Sequence, residues 1–231
     1  MSKVCVLVPA YRRPEYTLKC IQSIESAQEY KDVTFYLIDD GSGDGTAEIF
    51  RKAKLNSVVI IHPEQQGLRN TIIDFIEEVR VAKPDYIAKI DNDCTVPKDW
   101  LNHLLSVMKE HDVDVLSPNT SETNAAHKYG FIAQRKGAFI PSQIVGGLWC
   151  MKASMVDDIY FERVGTSGIR GAFHIISQIV IEKEPKIGWT DKVTYGDIGF
   201  WSGSHPEHIK SKDHALYSAE VGRPITWNPK D

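Results

Sequence analysis

Two aspartates, Asp91 and Asp93, stand one residue apart directly after a short apolar run. In an extended segment, residues i and i+2 point to the same side, so the two carboxylates can share one hard cation. Magnesium or manganese held by one or two carboxylates, with substrate phosphates completing the shell, is the usual chemistry of such a pair. The structural alternative is a loop in which Asp91 and Asn92 cap backbone amides. The pair therefore indicates a candidate cation site.

A second polar loop, from Asp39 to Thr46, carries two adjacent aspartates and then three glycines. Thr46 or Asp44 can cap the helix that follows. The glycines fall at i, i+2 and i+4 after the second apolar run. A dinucleotide-binding fingerprint needs Gly-x-Gly-x-x-Gly after the first strand, so this loop does not match it.

Short apolar runs alternate with helical periodicity through the first 117 residues. Continuous apolar strands separated by helices are typical of a parallel sheet, and polar residues after such strands lie at the mouth of a ligand crevice. We therefore predict an α/β fold with a mostly parallel central sheet flanked by helices. Strands are predicted at Val4–Val8, Val33–Ile38, Val58–Ile61, Tyr86–Ile90 and Val113–Leu116, and helices begin at Pro14, near Thr46, at Leu68 and at Pro97.

The pattern becomes less regular after Pro118. One hairpin is predicted around Phe131 and Phe139, and helices are predicted at Ala153–Tyr160 and Ala172–Ile181. Nothing resembles a linker between two domains, so both parts are expected to belong to one domain.

Composition and charge restrict the class of protein. The 231 residues are 42% hydrophobic and 25% charged, as in an ordinary soluble domain, and the net charge of −4 gives no sign of a general polyanion-binding surface. No run approaches the about 18 apolar residues of a membrane span, and strand-like residues begin too early for a signal peptide. The four cysteines show no metal-ligand or disulfide spacing. These features predict a cytoplasmic, reduced protein.

Four segments together resemble the ordered signature of family-2 glycosyltransferases with the GT-A fold. They are Val6–Tyr11, Ile38–Thr46, Gly67–Asn70 and Ile90–Asp93. The resemblance covers residues 3–117 well and 145–197 loosely. It implies that residues 1–117 bind a nucleotide sugar and that residues 118–231 form the acceptor-binding half and C-terminal tail of the same domain. The implied activity is transfer of a sugar from a nucleotide-diphosphate sugar, most often a UDP-sugar in this family, to an acceptor hydroxyl.

The resemblance also assigns roles around the nucleotide. Tyr11 would stack on the base, Asp40 would accept a hydrogen bond from it, and Asp39 would serve the same pocket or cap the glycine turn. Arg69 would lie near the nucleotide and the donor sugar, with Asn70 beside it at a helix start. A surface tyrosine and a solvated arginine are the structural alternatives for Tyr11 and Arg69.

Asp91 would face the ribose or donor sugar, and Asp93 would hold a manganese or magnesium ion that bridges the diphosphate. Such an ion offsets the charge that grows on the leaving group. The full set of predicted donor-binding residues is Pro9, Ala10, Tyr11, Arg13, Asp39, Asp40, Gly67, Arg69, Asn70, Asp91, Asn92, Gly147 and Trp149.

The acceptor half matches the family less well. Gly146–Trp149 resembles a glycine pair placed where donor and acceptor meet, and Trp149 offers a platform for a sugar ring, although a bulged strand fits equally. The family's Glu-Asp pair should fall near Ala172–His174 and is missing. His174 is a candidate base, with Glu162 and Asp158 as alternatives and a capping or packing histidine as the structural interpretation. The candidate catalytic residues are His174, Glu162 and Asp91.

The tail departs from the family at the metal shell. Some members supply a histidine after the segment corresponding to Val193–Tyr195, where this chain has Gly196 and Asp197. Asp197 or His205 would complete the shell around Asp93, since neutral imidazole suits manganese. Exposed histidines without a role are the alternative.

Two other functions compete with glycosyl transfer. A sugar-phosphate nucleotidyltransferase would need a glycine-rich loop after strand one, and Pro9–Arg13 contains no glycine. A non-catalytic nucleotide-sugar binder is favoured only by the missing Glu-Asp pair. The acceptor stays open among a glycan, a lipid-linked sugar, a protein side chain, a small hydroxylated molecule and a hydroxylated DNA base.

Overall fold

Strands and helices alternate along the first part of the chain in the computed structural model, which describes residues 2–27, 31–120, 131–134, 147–156 and 187–197. At residues 69, 119–120, 131–134, 187 and 189–197 only the backbone is described. The helices are α1 Pro14–Ser26, α2 Thr46–Lys52, α3 Leu68–Ala82 and α4 Trp100–Glu110. The strands are β1 Val4–Ala10, β2 Val33–Asp39, β3 Ser57–Ile61, β4 Tyr86–Ile90, β5 Cys94–Thr95, β6 Val115–Thr120, β7 Phe131–Gln134, β8 Leu148–Lys152 and β9 Ile187–Asp197.

The described strands form one mixed sheet in the order β3-β2-β1-β4-β8-β6-β9-β5, and β7 pairs with β9 outside this path. Strands β3, β2, β1 and β4 are parallel to one another. Strand β8 runs antiparallel between β4 and β6, and β6 is parallel to β9. The predicted α/β fold with a central sheet flanked by helices is confirmed, and the sheet is parallel over β3, β2, β1 and β4 and mixed beyond them. The predicted division into halves at residue 117 stays a prediction.

The apolar run of β1 is buried along its whole length because helices cover both faces of the sheet. Val4, Val6 and Val8 belong to one core cluster with residues of α1 and α4, whereas Cys5 and Leu7 belong to a second cluster with residues of α3. Alternate residues of a strand point to opposite faces, which explains this division. The two clusters fix the ends of the parallel strands relative to the helices that follow them.

Three of the four predicted helix starts, at Pro14, near Thr46 and at Leu68, are confirmed, and the fourth, at Pro97, is wrong. Pro14 begins α1. The N-cap residue of α2 is Gly45 rather than Asp44 or Thr46, and Asp44 Oδ1 accepts hydrogen bonds from the Thr46 backbone N–H at 3.2 Å and the Thr46 hydroxyl at 2.7 Å. Pro97 does not open α4. That helix begins at Trp100, after Asp99 in a left-handed conformation with φ 60°, which separates the proline from the helical turn.

The irregular part of the chain is described only in pieces. A helix was predicted at Ala153–Tyr160. The structure has a 3-10 turn at Ala153–Met155 in its place, and residues 157–160 lie outside the described residues. Strand β7 pairs antiparallel with β9, whereas Phe139, its predicted hairpin partner, lies outside the described residues, as does the helix predicted at Ala172–Ile181. None of the described helices has the length and apolar character that a bilayer crossing requires.

Candidate active site

The loops that follow β1, β2 and β4 lie at one edge of the sheet because these strands are adjacent and parallel. The Asp40 backbone N–H donates to the Ala10 carbonyl at 2.8 Å, which joins the ends of β1 and β2. The Asp91 backbone N–H donates to the Gly147 carbonyl at 2.7 Å, which brings the start of β8 to the same edge. The carboxyl ends of parallel strands form the usual ligand crevice of such a sheet. The predicted donor-binding segments are therefore neighbours in the structure.

Both carboxylates of the acidic pair contact a basic side chain. Arg13 Nη1 lies 3.1 Å from Asp93 Oδ2, and Lys89 Nζ pairs with Asp91 Oδ1. The Lys89 side chain is 5% exposed, and a buried charge is tolerated only when it is paired. Lys89 was not among the predicted site residues. The signal in the sequence was a lysine inside an apolar strand, two positions before Asp91 and so on the same side of it.

The loop after β1 is held in an unusual backbone conformation. Arg12 and Arg13 both have positive φ, 59° and 61°, which costs about 1–3 kcal/mol for a residue other than glycine. The Arg12 backbone N–H donates to Ser42 Oγ at 2.7 Å, and its carbonyl accepts from Asn92 Nδ2 at 3.3 Å. The same Asn92 amide donates to Thr17 Oγ1 at 2.9 Å. These bonds fix the loop so that Arg13 reaches Asp93.

Tyr11, predicted to stack on a base, is partly exposed at this edge. The Arg12 guanidinium carbon lies 5.0 Å from the centre of the Tyr11 ring, within the range of a cation–π contact. The contact restricts the orientation of the ring before any ligand binds. Stacking of Tyr11 on a base stays a prediction.

The two adjacent aspartates after β2 have different partners, and both are buried. Asp39 Oδ1 accepts hydrogen bonds from the backbone N–H of Ser42 at 3.1 Å and from its hydroxyl, so Asp39 caps the glycine turn, one of its two predicted roles. Asp40 Oδ1 accepts from the Gln66 backbone N–H and Oδ2 from the Gly67 backbone N–H, both at 2.8 Å. Asp40 thus holds the loop after β3. The predicted contact of Asp40 with a base stays a prediction.

Gly67 ends this loop and precedes the first residue of α3. Its φ of 89° and ψ of 154° lie in a region that only glycine adopts readily. The Asn70 backbone N–H donates to the Gly67 carbonyl at 3.0 Å, and Asn70 Nδ2 donates to the Gln66 carbonyl at 3.1 Å. Asn70 is therefore at the helix start, as predicted. The Arg69 backbone lies in the same turn, but its side chain is outside the description.

Trp149 lies in the core rather than on a surface. It is 5% exposed, belongs to the cluster on the α3 face, and stands opposite Lys89 in the β4–β8 pairing. Its Nε1 is buried without an acceptor among the described residues. A ring that serves as a platform for a sugar needs an exposed face. The burial of Trp149 therefore does not support the predicted contact with a sugar, which stays a prediction.

The Cys20 thiol lies beneath the acidic pair, with Sγ 3.6 Å from the Asp91 carbonyl oxygen. Burial, together with the negative charges of Asp93 and Asp91, raises the pKa of Cys20 far above its ordinary value. Because only a thiolate is a good nucleophile, Cys20 acts here as a packed hydrogen-bond donor.

The remaining predicted residues lie in the C-terminal part. Strand β5 pairs antiparallel with β9 so that Cys94 is opposite Asp197, which places the Asp197 backbone beside the segment that carries Asp93. His174, Glu162 and His205 lie outside the described residues. Within the part of the chain that the structure describes, no three His, Cys, Asp or Glu side chains are grouped as a metal site.

Comparison with known proteins identifies the family. Residues 5–144 match the model of glycosyl transferase family 2, and this range is more than half of the 231 residues. The chain belongs to glycosyl transferase family 2.

Curated relatives are similar over the same part of the chain. The glycosyltransferase GlyG of Streptococcus pneumoniae is 30% identical over 118 residues, which are 50% of this chain and 38% of GlyG. The glycosyltransferase AglE of Haloferax volcanii is 32% identical over 139 residues, which are 54% of this chain and 43% of AglE. The chain thus spans less than half the length of these relatives.

Solved structures share the fold at low sequence identity. S. aureus TarS, residues 1–349, has a TM-score of 0.66 and 16% identity, over 95% of this chain and 65% of that one. TarS has also been solved with UDP and with UDP-GlcNAc. The mannosyltransferase PcManGT of Pyrobaculum calidifontis, in complex with GDP-Man and Mn²⁺, has a TM-score of 0.63 and 16% identity, over 98% of this chain and 65% of that one. These similarities confirm the predicted GT-A fold.

Gly41 provides a test of how closely the loops after β2 and β3 pack. A Cβ at Gly41 would lie 2.6 Å from the Gln65 backbone nitrogen and 2.7 Å from the Glu64 Cα, whereas a Cβ at Gly43 would meet nothing within 4 Å. Both glycines have positive φ, 71° and 66°, so alanine at either costs about 1–2 kcal/mol from the backbone alone. We expect Gly41→Ala to lose clearly more stability than Gly43→Ala, because only the former displaces backbone.

Urea unfolding of the wild type and the two variants measures the difference. Gly43→Ala is the matched control, since it carries the same conformational cost without the contact. Equal losses in the two variants would show that the two loops do not pack as described.

Proposed function

We propose that the chain transfers a sugar from a nucleotide-diphosphate sugar, with a UDP-sugar as the first candidate, to an acceptor hydroxyl. The observation that carries the proposal is the convergence of the loops after β1, β2 and β4 on the acidic pair Asp91 and Asp93. Membership of glycosyl transferase family 2 supports this activity. The structural relatives solved with UDP, UDP-GlcNAc or GDP-Man support a nucleotide-sugar donor.

In this proposal the nucleotide base lies at the ends of β1 and β2. Tyr11 supplies an aromatic face for stacking, and the orientation that Arg12 imposes on the ring reduces the entropy lost on binding. A carboxylate has about four acceptor positions, and Asp40 uses three of them for Gln66, Gly67 and His62. The remaining position on Asp40 is the one that a base N–H would occupy.

The donor set fits a hard divalent cation. Asp91 and Asp93 supply carboxylate oxygens, the ligands that magnesium and manganese prefer, and the Asp197 backbone lies nearby in β9. When bound, such a cation offsets the charge that develops on the nucleoside diphosphate leaving group. Lys89 contacts one carboxylate oxygen of Asp91 and Arg13 one of Asp93, and these contacts orient the pair.

The acceptor step is proposed for the C-terminal half. Deprotonation of the acceptor hydroxyl is assigned to His174, with Glu162 as the alternative, and Asp91 is placed toward the donor sugar. The acceptor is a hydroxyl of a glycan, a lipid-linked sugar, a protein or a hydroxylated DNA base. A nucleotide-sugar binder without catalysis would share the donor site and differ only in lacking turnover.

Asp93→Asn tests the cation site. It keeps the shape of the side chain but removes the charge, so we expect UDP affinity in the presence of Mn²⁺ to fall by about 100-fold, in line with several kcal/mol for a lost charge contact. Isothermal titration with UDP, with and without Mn²⁺, measures the effect. Asp32→Asn, a change at an exposed position away from the edge, is the control. Unaltered Mn²⁺-dependent binding in Asp93→Asn would remove the metal assignment.

His174→Ala tests the base. We expect turnover to fall by about 100-fold or more while donor binding is retained, because a general base acts on the chemical step. Release of UDP from a panel of UDP-sugars measures turnover, and titration with UDP measures binding. His103→Ala, on the exposed side of α4, is the matched control. Full activity of His174→Ala would exclude His174 as the base and leave Glu162 as the next candidate.

A further inference from the structure

His62, immediately after β3, is a buried histidine between two carboxylates. Its Nδ1 lies 2.9 Å from Asp40 Oδ1, and its Nε2 lies 2.7 Å from Asp74 Oδ2. The His62 side chain is 6% exposed and that of Asp40 5%, whereas Asp74, on α3, is 34% exposed. One side chain thus joins the ends of β2 and β3 to the body of α3.

Each ring nitrogen of His62 faces one carboxylate oxygen. Asp40 also accepts the backbone N–H groups of Gln66 and Gly67. The doubly protonated ring, which has an N–H donor at each nitrogen, is the form of His62 that donates to both Asp40 and Asp74 at once.

The balance of forces on His62 agrees with this assignment. Burial lowers the pKa of His62, but the hydrogen bonds to Asp40 and Asp74 outweigh burial, and the pKa is raised above its ordinary value. Among the described residues, the charged groups that act on the ring are Asp40, after β2, and Asp74, on α3.

We infer that His62 is a positioning residue of the donor site, which fixes the Gln66–Gly67 turn and the start of α3 against the end of β2 by bridging Asp40 and Asp74. The inference rests on the proposed function. The Gly67 N–H bound by Asp40 precedes the helical turn that carries Arg69 and Asn70, and Asp74 ties the next turns of that helix to the same histidine. The His62 ring thus holds together the end of β2 and the helix α3, on two sides of the proposed nucleotide pocket.

Two substitutions separate the two contacts of the ring. In His62→Asn the amide nitrogen can replace Nδ1 and keep the bond to Asp40, whereas in His62→Gln the longer side chain can replace Nε2 and keep the bond to Asp74. We expect His62→Gln to weaken UDP binding by about 10-fold, because a hydrogen bond to a charged group is lost at the turn. His62→Asn should weaken UDP binding by less than His62→Gln, because it keeps the bond to Asp40 at the turn and loses only the one to Asp74. His103→Gln, exposed on α4, is the control.

The pH dependence gives a second readout. Because the folded pKa of His62 is raised, its stabilisation is fully present below the unfolded value of about 6.5 and is lost as pH rises through the folded pKa. The difference in unfolding free energy between wild type and His62→Gln should therefore be largest near pH 6 and decrease toward pH 9. Wild-type UDP affinity should fall over the same range, and that of His62→Gln should not.

Imidazole nitrogen NMR of the wild type tests the protonation state without any nucleotide, and Asp74→Asn should lower the pKa measured there. If the wild type binds UDP and His62→Gln binds it equally well at every pH, the inference is overturned while the proposed function stands. If the wild type binds neither UDP nor GDP, the proposed function fails, and the donor-site role of His62 fails with it. A His62 pKa that this experiment places at or below its ordinary value also overturns the inference.

Discussion

Buried or half-buried carboxylates at the ends of β2 and β4 must each be matched by donors, and this requirement shapes the whole edge of the sheet. Asp39 is matched by Ser42, and Asp40 by the turn after β3. Asp91 is matched by Lys89 and Asp93 by Arg13. Because the partners of Asp40 and Asp93 come from other loops, satisfying these carboxylates also sets the positions of the loops. The site is thus arranged before a ligand binds.

The antiparallel strand β8 connects this edge to the later part of the chain. It lies between β4 and β6, so that Gly147 accepts the Asp91 N–H and Trp149 stands opposite Lys89. The β5–β9 pairing makes a second connection next to Asp93. Backbone of β8 and β9, from the part of the chain after residue 117, therefore lies beside the segment that carries the acidic pair.

Most elements of the first 117 residues were predictable from sequence, whereas the partners of the site residues were not. Strand β4 and the start of α1 match their predictions because apolar runs and proline placement are local signals. The helix start predicted at Pro97 was wrong because Asp99, in a left-handed conformation, lies between Pro97 and the first helical residue. The φ angle of Asp99 cannot be read from the pattern of apolar residues. The ion pair of Arg13 with Asp93 joins residues 80 positions apart, so only the packing of the sheet creates it. The contact of His62 with Asp40 is likewise created only by the packing of the sheet.

The ion pairs at the end of β4 bear on how a donor would bind. Asp91 and Asp93 are balanced by Lys89 and Arg13, so these four side chains carry no net charge. A diphosphate alone would add negative charge beside two carboxylates, and a divalent cation alone would add positive charge beside two basic groups. If the diphosphate and the cation bind together, their charges nearly cancel, and the Coulomb cost at this partly buried edge is small. Under the proposed function, the arrangement therefore favours the cation and the diphosphate as one unit over either of them singly.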